Sequence, residues 1–137
     1  MIRVFIADPT LKERLALRLL CLVLDMQVIG EADDWHTTWT DAPRTNPNLI
    51  VMDWELLPNA HAEAVAELRR ACPLALVIIL ISSRSIRQQA DLSLSADMLI
   101  SKHEPAEQVL ESLRLAASTV AAKEPPPPLR LKYHRPA

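Results

Sequence analysis

Apolar residues fall along this chain in short unbroken runs, separated by stretches in which they recur at every third or fourth position. Ile2 to Ala7, interrupted only by Arg3, ends in Asp8. Leu49 to Met52 ends in Asp53, and Ala75 to Ile81 ends in Ser82 and Ser83. Runs of this kind read as strands buried on both faces. Strands are accordingly predicted over Ile2 to Ala7, Met26 to Glu31, Leu49 to Asp53, Leu76 to Ile81 and Asp97 to Ile100. The stretches between them carry helical spacing.

The first helix is predicted from Thr10 to Leu24. Leu11, Leu15, Leu19, Leu22 and Val23 form its inner side, and Lys12, Glu13, Arg14 and Arg18 its outer side. The second helix is capped by Asp33 or Asp34 and runs to about Ala42, with Pro43 and Pro47 bracketing the loop after it. The third spans Ala60 to Ala71, with Val65, Leu68 and Cys72 inward, and Pro73 ends it. A weaker fourth covers Ser85 to Leu94. The last starts at Pro105, a favoured first helical position. Its inner side carries Ala106, Val109, Leu110, Leu113, Ala116, Ala117 and Val120. Strands and helices in strict alternation predict a parallel sheet with helices on both faces. Three strand ends bearing Asp8, Asp53 and Ser82 then meet at the carboxyl edge, where open parallel sheets place their chemistry.

Composition narrows the function. A length of 137 residues suits one domain with a sizeable core. A net charge of −2 argues against direct nucleic-acid binding, which calls for a basic face. No apolar run approaches the roughly 20 residues of a membrane span, and no secretory signal is visible. Cys21 and Cys72 fit buried thiols in a reducing compartment, so a cytoplasmic location is expected. Gly30, the single glycine, leaves left-handed turns to Asn and Asp and excludes a glycine-rich nucleotide cradle. His36, His61, His103 and His134 lack metal-ligand spacing. Trp35, Trp39 and Trp54 read as packing or loop anchors. Arg84 and Arg87 read as a solvated face. From Lys123 the character changes: Pro125 to Pro128 read as a polyproline II stretch, and Leu129 to Ala137 as a basic tail.

Four pieces in this order, IRVFIAD, PNLIVMDWELLP, VIILISS and ADMLISKHEPAEQVLESL, resemble the receiver domain of two-component response regulators. The resemblance covers residues 1–122, with 123–137 as a proline-rich flexible tail or linker. It implies a flavodoxin-like, doubly wound five-stranded parallel sheet of order 2-1-3-4-5 with five helices. It also implies that Asp53 accepts a phosphoryl group from a sensor histidine kinase or phosphotransfer protein. A carboxylate can act as such a nucleophile. Lys102 matches the lysine that pairs with the aspartate or the phosphoryl oxygens, and Ser82 the hydroxyl that moves toward them. Mg²⁺ would be held by Asp8, Asp53 and the backbone carbonyl of Glu55. Output would pass to a protein partner through residues 85–122, a surface that also makes homodimers in such proteins. The chain would be a signalling phosphoacceptor rather than an enzyme, with at most Mg²⁺-dependent self-phosphorylation and autodephosphorylation.

The chain departs from the family pattern in several places. One acid, Asp8, stands where two adjacent acids are usual, and Pro9 follows it. Alignment on the strand makes Asp8 the first of the pair, and alignment on Leu19 and Leu20 makes it the second. The loop after Asp53 holds an extra residue before Pro58 and lacks a glycine. Leu99 stands where an aromatic switch residue is common, and His103 follows Lys102 where proline is common. Two alternatives follow: a pseudo-receiver acting as a phosphorylation-independent interaction module, or the receiver fragment of a longer transcriptional regulator, with the prolines as interdomain linker.

Overall fold

Every position of the strand Leu49–Asp53 is buried, as its continuous apolar run requires, and this strand is the centre of the sheet. The computed structural model describes residues 1–82 and 95–123. Five parallel strands, β1 (Arg3–Ala7), β2 (Gln27–Ala32), β3 (Leu49–Asp53), β4 (Leu76–Ile81) and β5 (Met98–Ser101), lie in the order β2-β1-β3-β4-β5. The helices among the described residues are α1 (Leu11–Val23), α2 (Trp35–Thr45), α3 (His61–Ala71) and α4 (Ala106–Lys123), with a short 3₁₀ turn over Trp54–Leu56. The fold is flavodoxin-like, as expected. The helix predicted over Ser85 to Leu94, Ser83, and the tail beyond Lys123 lie outside the described residues.

Alternation along the strands sorts the core into two layers. Phe5, Ile50, Met52, Val77 and Ile79 meet α2 and α3, with Ala42, Ala64, Val65 and Leu68. Val4, Ile6, Val51, Ile78 and Ile100 meet α1 and α4, with Leu17, Cys21, Leu113 and Val120. Both cysteines are buried and free, and burial raises each thiol to about 11, so neither is a nucleophile at neutral pH. Buried Asn48 ties three strand starts together. Its Oδ1 accepts from Arg3 N at 2.9 Å, its own N–H donates to Arg3 O at 2.9 Å, and its carbonyl accepts from Leu76 N at 3.0 Å.

The expected inner face of α1 is corrected. Leu11, Leu15, Leu19, Leu22 and Val23 are all exposed, between 45% and 73%, and Leu17 and Cys21 are the residues buried. The helix carries two apolar ridges, and spacing alone does not choose between them. The turn into α1 chooses: Thr10 N donates to Asp8 Oδ1 at 2.9 Å, and Arg14 Nη1 donates to Asp8 O at 2.7 Å. That phase lays the ridge Glu13, Leu17, Cys21 along the sheet.

Smaller corrections have local causes. Asp34 caps α2 through Thr37 N at 2.7 Å, but the helix continues past Pro43 to Thr45. A proline late in a helix forfeits one bond without forcing its end. Pro105 precedes α4, accepting from Val109 N at 3.1 Å, and Ala106 is exposed. Left-handed turns fall on Asp25 (φ 57°) and Asn46 (φ 50°), as a chain with one glycine requires.

Gly30 answers to a different demand. A Cβ there would lie 2.8 Å from the Phe5 ring, at the register shift between β1 and β2. Because Phe5 is only 1% exposed, its ring has nowhere to go. Gly30→Ala is therefore expected to destabilise the fold by about 1–3 kcal/mol in urea unfolding. Phe5→Leu in the same chain should recover part of that loss. Equal stability of Gly30→Ala and wild type would contradict the close approach.

Candidate functional site

The pairing of β1 with β3 runs in register from Val4 opposite Leu49 to Ala7 opposite Met52, so Asp8 and Asp53 follow side by side at the carboxyl edge. Alternation turns both toward the α1 side of the sheet, the side of Ile6 and Val51. Lys102 follows β5 on the same side, two residues after Ile100, and its N–H donates to Ile81 O at 2.9 Å. Three separate strand ends thus converge without any sequence motif linking them.

Asp8 and Asp53 are almost fully buried, at 0% and 1% exposure. Lys102 Nζ donates to Asp8 Oδ2 at 3.1 Å and pairs closely with Asp53 Oδ2 and Glu13 Oε2. Asp53 Oδ1 accepts from Glu55 N at 2.8 Å, which fixes the carboxylate's orientation from its own loop. The Glu55 side chain is exposed, and its backbone N–H is the group that meets Asp53. Ser82 is half-buried, and its Oγ accepts from Trp54 Nε1 at 3.2 Å. Trp54 in turn sits edge-on to His61 at 5.8 Å. Leu99 packs against the α2–α3 layer of the core.

Glu13 is the member of this cluster that the sequence reading put on the outer side of α1. In the structure it stands at the pocket end of the buried ridge, its side chain 42% exposed and its carboxylate paired with Lys102. Two signals for it exist in the sequence. It shares helical spacing with Leu17 and Cys21. It also stands three residues after Thr10, a pattern that reads equally well as a capping box. Thr10 makes no side-chain cap.

Charge in this pocket is unbalanced, with three carboxylates around one ammonium. Burial raises the Asp8 carboxyl to about 6, and the Thr10 N–H and Lys102 offset this only in part. Burial also pushes Glu13 up, but its bonds to Lys102 and Asp8 prevail and hold it below its ordinary value. Burial pulls Lys102 down, and its three carboxylate partners outweigh this and raise it above its ordinary range.

The carboxylate oxygens of Asp8, Glu13 and Asp53 lie within 4.8 Å of one another. Around Mg²⁺, with oxygens at about 2.1 Å, adjacent ligands stand about 3 Å apart and opposite ones about 4 Å. An all-oxygen donor set gathered this closely has the chemistry of a site for a small hard cation, with Lys102 Nζ now paired to all three carboxylates. Asp8 and Asp53 are the buried members of such a set.

No family model matches the chain, and no curated protein matches it. Solved structures do. A CheY-like response regulator receiver domain protein from Methanospirillum hungatei superposes with a TM-score of 0.75 or better, at 0.78, with 16% identity, over 90% of this chain and 99% of that one. The response regulator domain of Thermotoga maritima CheB gives 0.70 and 25%, over 91% and 99%. The signal receiver domain of a modulated diguanylate cyclase from Desulfovibrio desulfuricans gives 0.75 and 21%, over 90% and 99%. No helix among the described residues is long and apolar enough to cross a membrane.

The raised Asp8 carboxyl makes a testable demand on stability. A carboxyl raised by folding favours the folded state fully below its ordinary value of 3.8 and loses that contribution as pH rises through about 6. In metal-free buffer, wild type should therefore lose on the order of 1–3 kcal/mol relative to Asp8→Asn between about pH 5 and pH 8. Glu13, lowered by folding, loses its contribution only below its ordinary value of 4.5, outside that window. Urea unfolding of both proteins at the two pH values measures this, and a pH-independent difference would refute it. The chain has the fold of a response-regulator receiver domain.

Proposed function

We propose that this chain is a phosphoacceptor of two-component signalling, taking a phosphoryl group on Asp53 from a histidine of a sensor kinase or phosphotransfer protein. The observation that carries this reading is the buried pair Asp8 and Asp53 in register at the carboxyl edge, bridged by Lys102. Asp53 is the nucleophile. Its carboxylate oxygen forms a bond to phosphorus as the bond from phosphorus to the histidine nitrogen breaks, and that nitrogen regains a proton from water.

Charge is the main barrier, because an anion attacks a dianionic group. Lys102 offsets part of it, being already paired to Asp53 and able to follow the transferred oxygens. Glu55 N–H keeps the carboxylate aimed. Asp8, Asp53 and the Glu55 carbonyl would hold Mg²⁺, which when bound neutralises the phosphoryl oxygens. Ser82 then has two possible partners: the Trp54 indole N–H before transfer and a phosphoryl oxygen after it.

The donor must cover the surface beside Asp8 to reach Asp53. The exposed apolar stripe Leu11, Leu15, Leu19 begins three residues from Asp8 and supports docking of the donor along α1. The output partner would bind through residues 85–122.

Incubation with a small acyl phosphate and Mg²⁺ should add one phosphoryl group by intact mass, and the adduct should be lost at alkaline pH. Asp53→Asn should remain unmodified, and Lys102→Ala should be modified at least about tenfold more slowly. An unmodified wild type would overturn the phosphoacceptor reading in favour of a phosphorylation-independent interaction module.

A further inference from the structure

We propose that Glu13, from the first turn of α1, supplies the second metal-directed carboxylate that the loop after β1 lacks. The proposal rests on the phosphoacceptor reading and names a residue of its site. Asp8 is the single acid at the end of β1, with Ala7 before it and Pro9 after it. With Asp8 and Asp53 alone, the pocket would offer two carboxylates, both already paired with Lys102.

Three features put Glu13 in this role. Its carboxylate oxygen lies within 4.8 Å of oxygens on both Asp8 and Asp53. It is held there by Lys102, the same ammonium that pairs with the other two. It belongs to the ridge that packs on the sheet through Leu17 and Cys21, so the rigid core aims the first turn of α1 at the pocket. A glutamate reaching from the helix covers the distance that an aspartate in the preceding loop would cover from closer by. An acid in a first helical turn is also favoured by the helix dipole.

The competing role for Glu13 is electrostatic only: it draws Lys102 away from Asp53 without touching a cation. The experiment must separate the two. Mg²⁺ binding to the full chain is measured by calorimetry at pH 8 for wild type, Glu13→Gln and Glu67→Gln, with Glu67 an exposed acid of α3 that controls for net charge. The comparison of Glu13→Gln with its parent is repeated in a Lys102→Met background, which removes the ammonium. Circular dichroism checks that each protein is folded.

Glu13→Gln should weaken Mg²⁺ binding about tenfold or more in both backgrounds, and Glu67→Gln less than about twofold. Equal affinity of Glu13→Gln and wild type overturns the role of Glu13 and leaves the phosphoacceptor reading standing. A loss that vanishes in the Lys102→Met background also overturns it, because Glu13 then acts through the ammonium. If wild type itself takes up no Mg²⁺, the metal-dependent phosphoacceptor reading fails along with the proposal.

Discussion

Two carboxylates stripped of water and held within 4.8 Å of each other repel by roughly 3 kcal/mol even in a protein-like dielectric. Asp8 and Asp53 are placed so by the register of β1 on β3, and the rest of the carboxyl edge answers to that repulsion. Lys102 comes in from the end of β5 to bridge them. Thr10 N and Glu55 N each donate to one of the two, from loops on different sides. A third carboxylate, Glu13, then joins and leaves the pocket short of positive charge. A fold that needed only stability would have no use for that excess of negative charge. The divalent cation proposed for the pocket would relieve that imbalance.

The same contacts set the pose of α1. Its first turn is tied to Asp8 through Thr10 and Arg14, and its rotation follows from those ties. One apolar ridge is thereby buried and the other left in solvent. The exposed leucines flank a groove of about 560 Å³ between α1 and β2, lined by Leu15, Leu19, Leu22, Met26 and Val28. Site and surface are thus coupled: whatever fixes Glu13 at the pocket also fixes which leucines face outward.

Departures at the far side of the site share one neighbourhood. Trp54, next to the proposed acceptor, holds Ser82 by its indole N–H, and Leu99 packs against the same core layer. A bulky aromatic therefore sits close to the hydroxyl on the acceptor's own loop, although β5 carries leucine.

Much of this was legible in one dimension. Apolar runs located the three inner strands β1, β3 and β4, because a doubly covered strand is apolar at nearly every position. Alternation of strands with helices implied a parallel sheet, whose order came from the resemblance, and acids ending two of the runs marked Asp8 and Asp53. Lys102 was reached only through resemblance, since a lysine after a strand carries no signal of its own. Other features were decided by the tertiary structure. Spacing could not choose between two leucine ridges on α1, because rotation of a helix is set by what its ends are tied to. Glu13 was read as solvent-facing for that reason, and its place beside Asp8, Asp53 and Lys102 came only with the packed helix. A carboxylate's neighbours depend on register and helix phase across the sheet, and neither is written in the local pattern of any one segment.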